Sequence, residues 1–162
     1  MARSDPPHVT KTRGPLSIST AGVFLVPAVI LLPDHPIAVF AFCVLAIGTF
    51  LFHAFANDWQ LDGAGMLASL GVLIGLPFGP IVEGLAVAGG FAIRGFYSHK
   101  LIAALIVPVS GVALWQGAWA WLLGALVLFG IGFWIWRRPG DWPHAVWHLT
   151  TCAAMTLILI GI

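Results

Sequence analysis

The chain has 162 residues, 60% of them hydrophobic and 8% charged, with a mean hydropathy of +1.00. That balance excludes a soluble globular domain, and a net charge of +1 with seven scattered Lys and Arg excludes the clustered basic surface that nucleic acids require. The composition is that of a polytopic integral membrane protein.

A polar head over residues 1–15 leads into a single membrane domain over residues 16–162, and no stretch is left for a second, soluble domain. A bilayer core about 30 Å thick asks for roughly 20 helical residues, or about 17 in a short span. Cuts at Pro, Gly and charged residues predict an all-α, seven-transmembrane-helix bundle with spans at 17–32, 36–56, 61–77, 79–97, 100–115, 117–136 and 143–161. The first run, "LSISTAGVFLVPAVILL", follows a basic head as a signal peptide would, but no A-x-A-like cleavage site ends it, so it reads as a retained helix. Between 100 and 136 the apolar run is too long for one span, and Gln116-Gly117 in "WQGAW" is its polar, flexible break. Trp115, Trp119, Trp134, Trp136 and Trp142, near span ends, read as interfacial anchors. Cys43 and Cys152 lie in apolar segments without a CxxC spacing and read as small core residues. Glu83, near the outer end of the fourth span, reads as bonded to a neighbour or snorkelled, and His35 carries no assigned chemistry.

Seven spans put Arg3, Lys11, Arg13, Arg94, Lys100, Arg137 and Arg138 on one side, while the opposite loops hold no Lys or Arg. The positive-inside rule then predicts a cytoplasmic N-terminus and an outward C-terminus.

Ionisable residues in membrane spans are costly and default to a functional role. Thr49 and His53 are four apart near the end of span 2, so they share a helix face, and Asp62 opens span 3. His144 and His148 are also four apart, near the start of span 7, behind a Pro-containing start that Asp141 is placed to cap. The end of span 2 and the starts of spans 3 and 7 fall at one membrane face. Three imidazoles and a carboxylate at one depth suit zinc, which in catalytic sites keeps three protein ligands and a fourth position for water. The expected metal ligands are His53, His144 and His148. Asp62 is better placed to accept a proton or hydrogen bond from the water than to close the site as a fourth ligand. Thr49 is placed to hydrogen-bond an oxyanion or the water. The plainer readings are a helix cap for Asp62, a loop residue for Asp58 and a back-bonded hydroxyl for Thr49.

At these residues, "GTFLFHAFAN", "QLDGAGM" and "HAVWH", the chain resembles the alkaline ceramidase branch of a seven-helix membrane hydrolase superfamily that includes adiponectin receptors and hemolysin III-like proteins. The family's marks are Ser-x-x-x-His at the end of helix 2, an Asp shortly after, and His-x-x-x-His in helix 7. The resemblance implies Zn2+ held by His53, His144 and His148, with Asp62 holding the metal's water and Thr49 standing where the family has serine. Asp62 follows His53 at a shorter interval than the family's, which leaves two alternatives open at the acidic position, Asp58 or a shifted start of span 3. No counterpart of the eukaryotic calcium-binding cluster occurs in residues 1–35, so no calcium site is expected. The implied activity is amide hydrolysis of a membrane lipid, ceramide or another N-acyl lipid, entering sideways from the bilayer, in an inner bacterial membrane. The rival expectation is a non-enzymatic accessory subunit of a larger membrane complex, binding haem or pigment through its histidines, or a zinc-binding family member that has lost turnover.

Overall fold

The computed structural model describes residues 14–31, 33–55, 59–96 and 99–162, and among these residues it is all-helical, with no strand. Most of the polar head, together with Asp58, lies outside the described residues. Seven helices run in order: α1 (Pro15–Leu31), α2 (Pro36–Phe55), α3 (Trp59–Gly75), α4 (Pro80–Ala92), α5 (His99–Trp115), α6 (Trp119–Trp136) and α7 (Asp141–Gly161). Four are long and apolar enough to cross a membrane: α2, α6, α7, and α3 with the 3-10 turn that extends it to Phe78. The other three are apolar and shorter.

The punctuation is chemical. Gly117 and Gly140 take positive φ, +77° and +119°, and so end α5 and introduce α7, conformations an L side chain resists. The break between α5 and α6 thus falls at the Gln116-Gly117 point of "WQGAW". α4 stops at Ala92, five residues before the expected end at 97, and a 3-10 turn Arg94–Phe96 follows. Glycines at 89, 90 and 95 weaken helix propagation there, and Arg94 turns back to donate to the Phe91 carbonyl at 2.8 Å, satisfying one of the last orphan acceptors. Inside α1, residues Ala21–Phe24 tighten into a 3-10 turn. Pro27 has no N–H to offer the Val23 carbonyl four residues back, and the Cys152 thiol of α7 donates to that oxygen at 3.1 Å.

Contacts run from α1 to α2, α3, α5, α6, α7 and back to α1, closing a circuit, while α4 packs against α3 and α2. Of the four long helices, α3 is the most enclosed and α6 the least. α3 owes its depth to glycine. A Cβ at Gly48 would stand 2.8 Å from the Asp62 nitrogen and from the Leu61 carbonyl carbon, and one at Gly75 would stand 2.7 Å from the Glu83 Cα. Gly65 meets the Leu45 backbone in the same way. Small residues at these positions let backbones approach closely, which is how helices pack where no water drives them together. The interior they enclose is apolar, built on Phe24, Phe42, Leu45, Leu67, Leu73 and Val72. The exterior is apolar too, with Val29, Ile81, Leu85 and Val107 exposed, a surface suited to hydrocarbon.

Glu83 does not snorkel. It is 2% exposed, and its Oε2 lies 3.5 Å from Nδ1 of His35 in the α1–α2 loop, so the neighbour is the histidine to which the sequence assigned no chemistry.

Candidate metal centre

Three helix ends meet at one end of the bundle. The last two turns of α2 bring Thr49 and His53, the first turn of α3 brings Asp62, and the first turns of α7 bring His144 and His148. One ligand nitrogen from each of His53, His144 and His148 lies within 4.8 Å of the other two, and this is a group able to hold a metal ion. His53 and His148 are buried and His144 is half-buried. Their rings touch, with centroid separations of 4.6, 5.0 and 4.7 Å. Nε2 of His53 and Nε2 of His144 stand 3.0 Å apart. Phe24 and Phe52 pack edge-on against His148 and His53, giving the imidazoles an apolar surround.

The carboxylate and hydroxyl form a pair of their own. Thr49 Oγ1 donates to Asp62 Oδ1 at 2.6 Å. The approach allowed by Gly48 makes this possible, because it sets the start of α3 directly against the α2 turn that carries Thr49. α3 begins at Trp59, two residues before the expected start, so Asp62 lies within its first turn and is not a cap. Thr49 directs its proton outward to the carboxylate, where a back-bonded helix threonine, such as Thr150 to Val146, keeps it on its own chain.

Asp141 has a different job from the one its sequence position suggests. No side chain caps α7. The Asp141 carboxylate instead reaches the start of α1, accepting from the Leu16 N–H at 2.9 Å, from the Ser17 N–H at 3.0 Å and from the Ser17 hydroxyl. A helix N-terminus offers orphan N–H groups and the positive end of the backbone dipole, and it can recruit an acceptor from another helix when the geometry allows. α1 and α7 both start at this end of the bundle, so the acceptor is at hand.

α1 also reaches the histidines. Thr20 Oγ1 donates to the Leu16 carbonyl at 2.8 Å and lies 3.0 Å from Nδ1 of His148. Where that proton stays on the carbonyl, the threonine oxygen accepts from Nδ1–H, and the lone pair of His148 is then on Nε2. On the other flank, Trp136 Nε1 donates to Nδ1 of His144 at 3.1 Å. Trp136 is thus half-buried and aimed into the centre, while Trp115, Trp119, Trp134 and Trp142 are exposed as interfacial anchors would be. Thr20, Trp136 and the Asp141 contact were missed in the sequence. A signal for Trp136 did exist: Trp136 and His144 are equidistant from Gly140, and a tight antiparallel turn centred there brings them face to face.

No family model, curated protein or solved structure matches the chain.

Proposed function

We propose that the protein is a zinc-dependent intramembrane hydrolase, a seven-span bundle that cleaves the amide bond of a ceramide-like N-acyl lipid. The observation that carries the reading is the convergence of three imidazoles with ligand nitrogens within 4.8 Å of one another, at the end of the bundle that also holds the Thr49–Asp62 pair. Three neutral nitrogens are a donor set that zinc favours, and each ring offers one within 4.8 Å of the other two. Touching imidazole rings also favour a single ion over a haem or pigment macrocycle, which would have to lie between them.

His53, His144 and His148 would hold the ion. When bound, zinc supplies a Lewis acid for the acyl carbonyl and lowers the pKa of water towards about 7. Asp62 is the proton carrier: it takes a proton from the attacking water and delivers it to the nitrogen of the breaking C–N bond, so that a fatty acid and an amine leave. Thr49 holds one carboxylate oxygen, which fixes the direction in which the other presents itself. The apolar exterior suits a substrate that arrives laterally from hydrocarbon. With the N-terminus cytoplasmic, the centre faces the inner side of the membrane.

Metal analysis of protein purified in detergent, followed by hydrolysis of N-acyl lipids with and without a chelator, tests the reading. Zinc in a one-to-one ratio with the chain and chelator-sensitive release of fatty acid are expected. A His148→Ala variant that held zinc and hydrolysed lipid as well as the parent would sink it.

A further inference from the structure

The two hydrogen bonds that hold the ligand histidines from outside run in opposite chemical directions. A neutral imidazole has one N–H and one lone pair. Where Thr20 gives its proton to the Leu16 carbonyl it accepts from Nδ1–H of His148, and the lone pair on Nε2 is then available to an ion. Trp136 can only donate. Nδ1 of His144 therefore spends its lone pair on the indole N–H, and the ring's proton sits on Nε2. That Nε2 is 3.0 Å from Nε2 of His53, so the proton lies between two nitrogens that an ion would join.

We propose that Trp136 is a latch that holds His144 in a metal-excluding tautomer, so that loading of the centre requires the indole N–H to release Nδ1. The inference rests on the reading of His53, His144 and His148 as a metal centre. For Nε2 of His144 to become a ligand, its proton has to leave, and in the neutral ring it then resides on Nδ1, donor facing donor against the indole. Turning the ring over to ligate through Nδ1 would equally take that nitrogen from the tryptophan. Either route breaks the 3.1 Å hydrogen bond. The latch is well placed to yield. Trp136 is the last residue of α6, beside the turn that ends at Gly140, and contacts with Phe133 and Trp147 at 5.9 and 6.0 Å hold its ring when the N–H lets go. Trp136 is a positioning residue on this account, acting through His144.

The test is zinc affinity in detergent, measured against a competing chelator, for the parent, Trp136→Phe and Thr20→Val. Phenylalanine keeps an aromatic ring but removes the donor, so the metal-free form loses a hydrogen bond and zinc should bind about fivefold tighter. Thr20→Val removes the acceptor that favours the metal-ready tautomer of His148, and zinc should bind about fivefold weaker. A tryptophan that merely packs would leave affinity unchanged or reduce it when replaced, and either result for Trp136→Phe overturns the latch. A second readout uses the parent with 15N-labelled indoles. The Trp136 N–H signal, identified by its loss in Trp136→Phe or in Trp136→Tyr, should shift on zinc saturation, and a signal that stays in place also overturns the latch. If the parent takes up no zinc, the metal reading falls and the latch with it; if the parent binds zinc and the variant binds no tighter, only the latch falls.

Discussion

The carboxylate of Asp141 is where the structure departs most from local sequence logic, and Asp141→Ala measures what that contact is worth. In the parent, Asp141 accepts from two backbone N–H groups at the start of α1 and from the hydroxyl of Ser17, a residue with no solvent exposure. Loss of an N-terminal cap costs about 1 kcal/mol. Leaving the buried Ser17 groups without an acceptor adds about 1–3 kcal/mol, whereas the more exposed Leu16 N–H can turn to water. The sum, about 2–4 kcal/mol, corresponds to a fall in melting temperature of roughly 4–16 °C for a chain of this size. Asp141→Asn keeps an acceptor oxygen and loses only the charge at the dipole end, for about 1 kcal/mol. Thermal unfolding in detergent, followed by circular dichroism, gives both values. The decisive comparison is the double variant with Ser17→Ala. If Asp141 serves α1, the two substitutions are strongly non-additive, with a coupling of about 1–2 kcal/mol. If it serves its own helix, they add. An Asp141→Ala protein that melted within about 1 °C of the parent, or additive behaviour with Ser17→Ala, would refute the reasoning.

Three further outcomes follow from the same contacts. Gly48→Ala would place a methyl 2.8 Å from the Asp62 nitrogen, so α3 must shift at a cost of about 1–3 kcal/mol and lipid hydrolysis should fall with the lost alignment; unaltered stability and turnover would contradict the close approach. Thr49→Ser keeps the proton given to Asp62 and should hold turnover within about twofold, whereas Thr49→Val removes it and should lower turnover about 10- to 100-fold, read from fatty-acid release. At the α1–α2 loop, His35→Ala strands the buried Glu83 carboxylate and should destabilise by about 1–3 kcal/mol, more than Glu83→Gln, which buries a neutral amide; the reverse order of melting temperatures would show that the pair does not stabilise the fold.

What the sequence disclosed, and what it hid, divides along the range of the interaction. Helix positions were legible because Pro, Gly and charge act within a few residues, and the two four-residue spacings, Thr49 to His53 and His144 to His148, follow from the geometry of one helix. The meeting of His53 with His144 was legible through parity and through the resemblance in "GTFLFHAFAN" and "HAVWH". An even-numbered span ends, and odd-numbered spans begin, at the same face, and three imidazoles placed there have few other reasons to exist. The supporting residues escaped because their signals were already spent on nearer explanations. Asp141 stands two residues before a proline at the start of a helix, the usual description of a cap, yet its partners lie 124 and 125 residues away. Trp136 ends an apolar helix, as an interfacial tryptophan does, yet its indole faces a histidine across the turn. In both cases residue type and local position fit the ordinary role, and only the helix packed alongside decides otherwise. A histidine cluster able to hold a metal is therefore recognised in sequence by the histidines themselves, whose cost within apolar helices makes them conspicuous. The residues that touch those imidazoles from outside are generic threonine and tryptophan, and they become visible only when the helices are packed together.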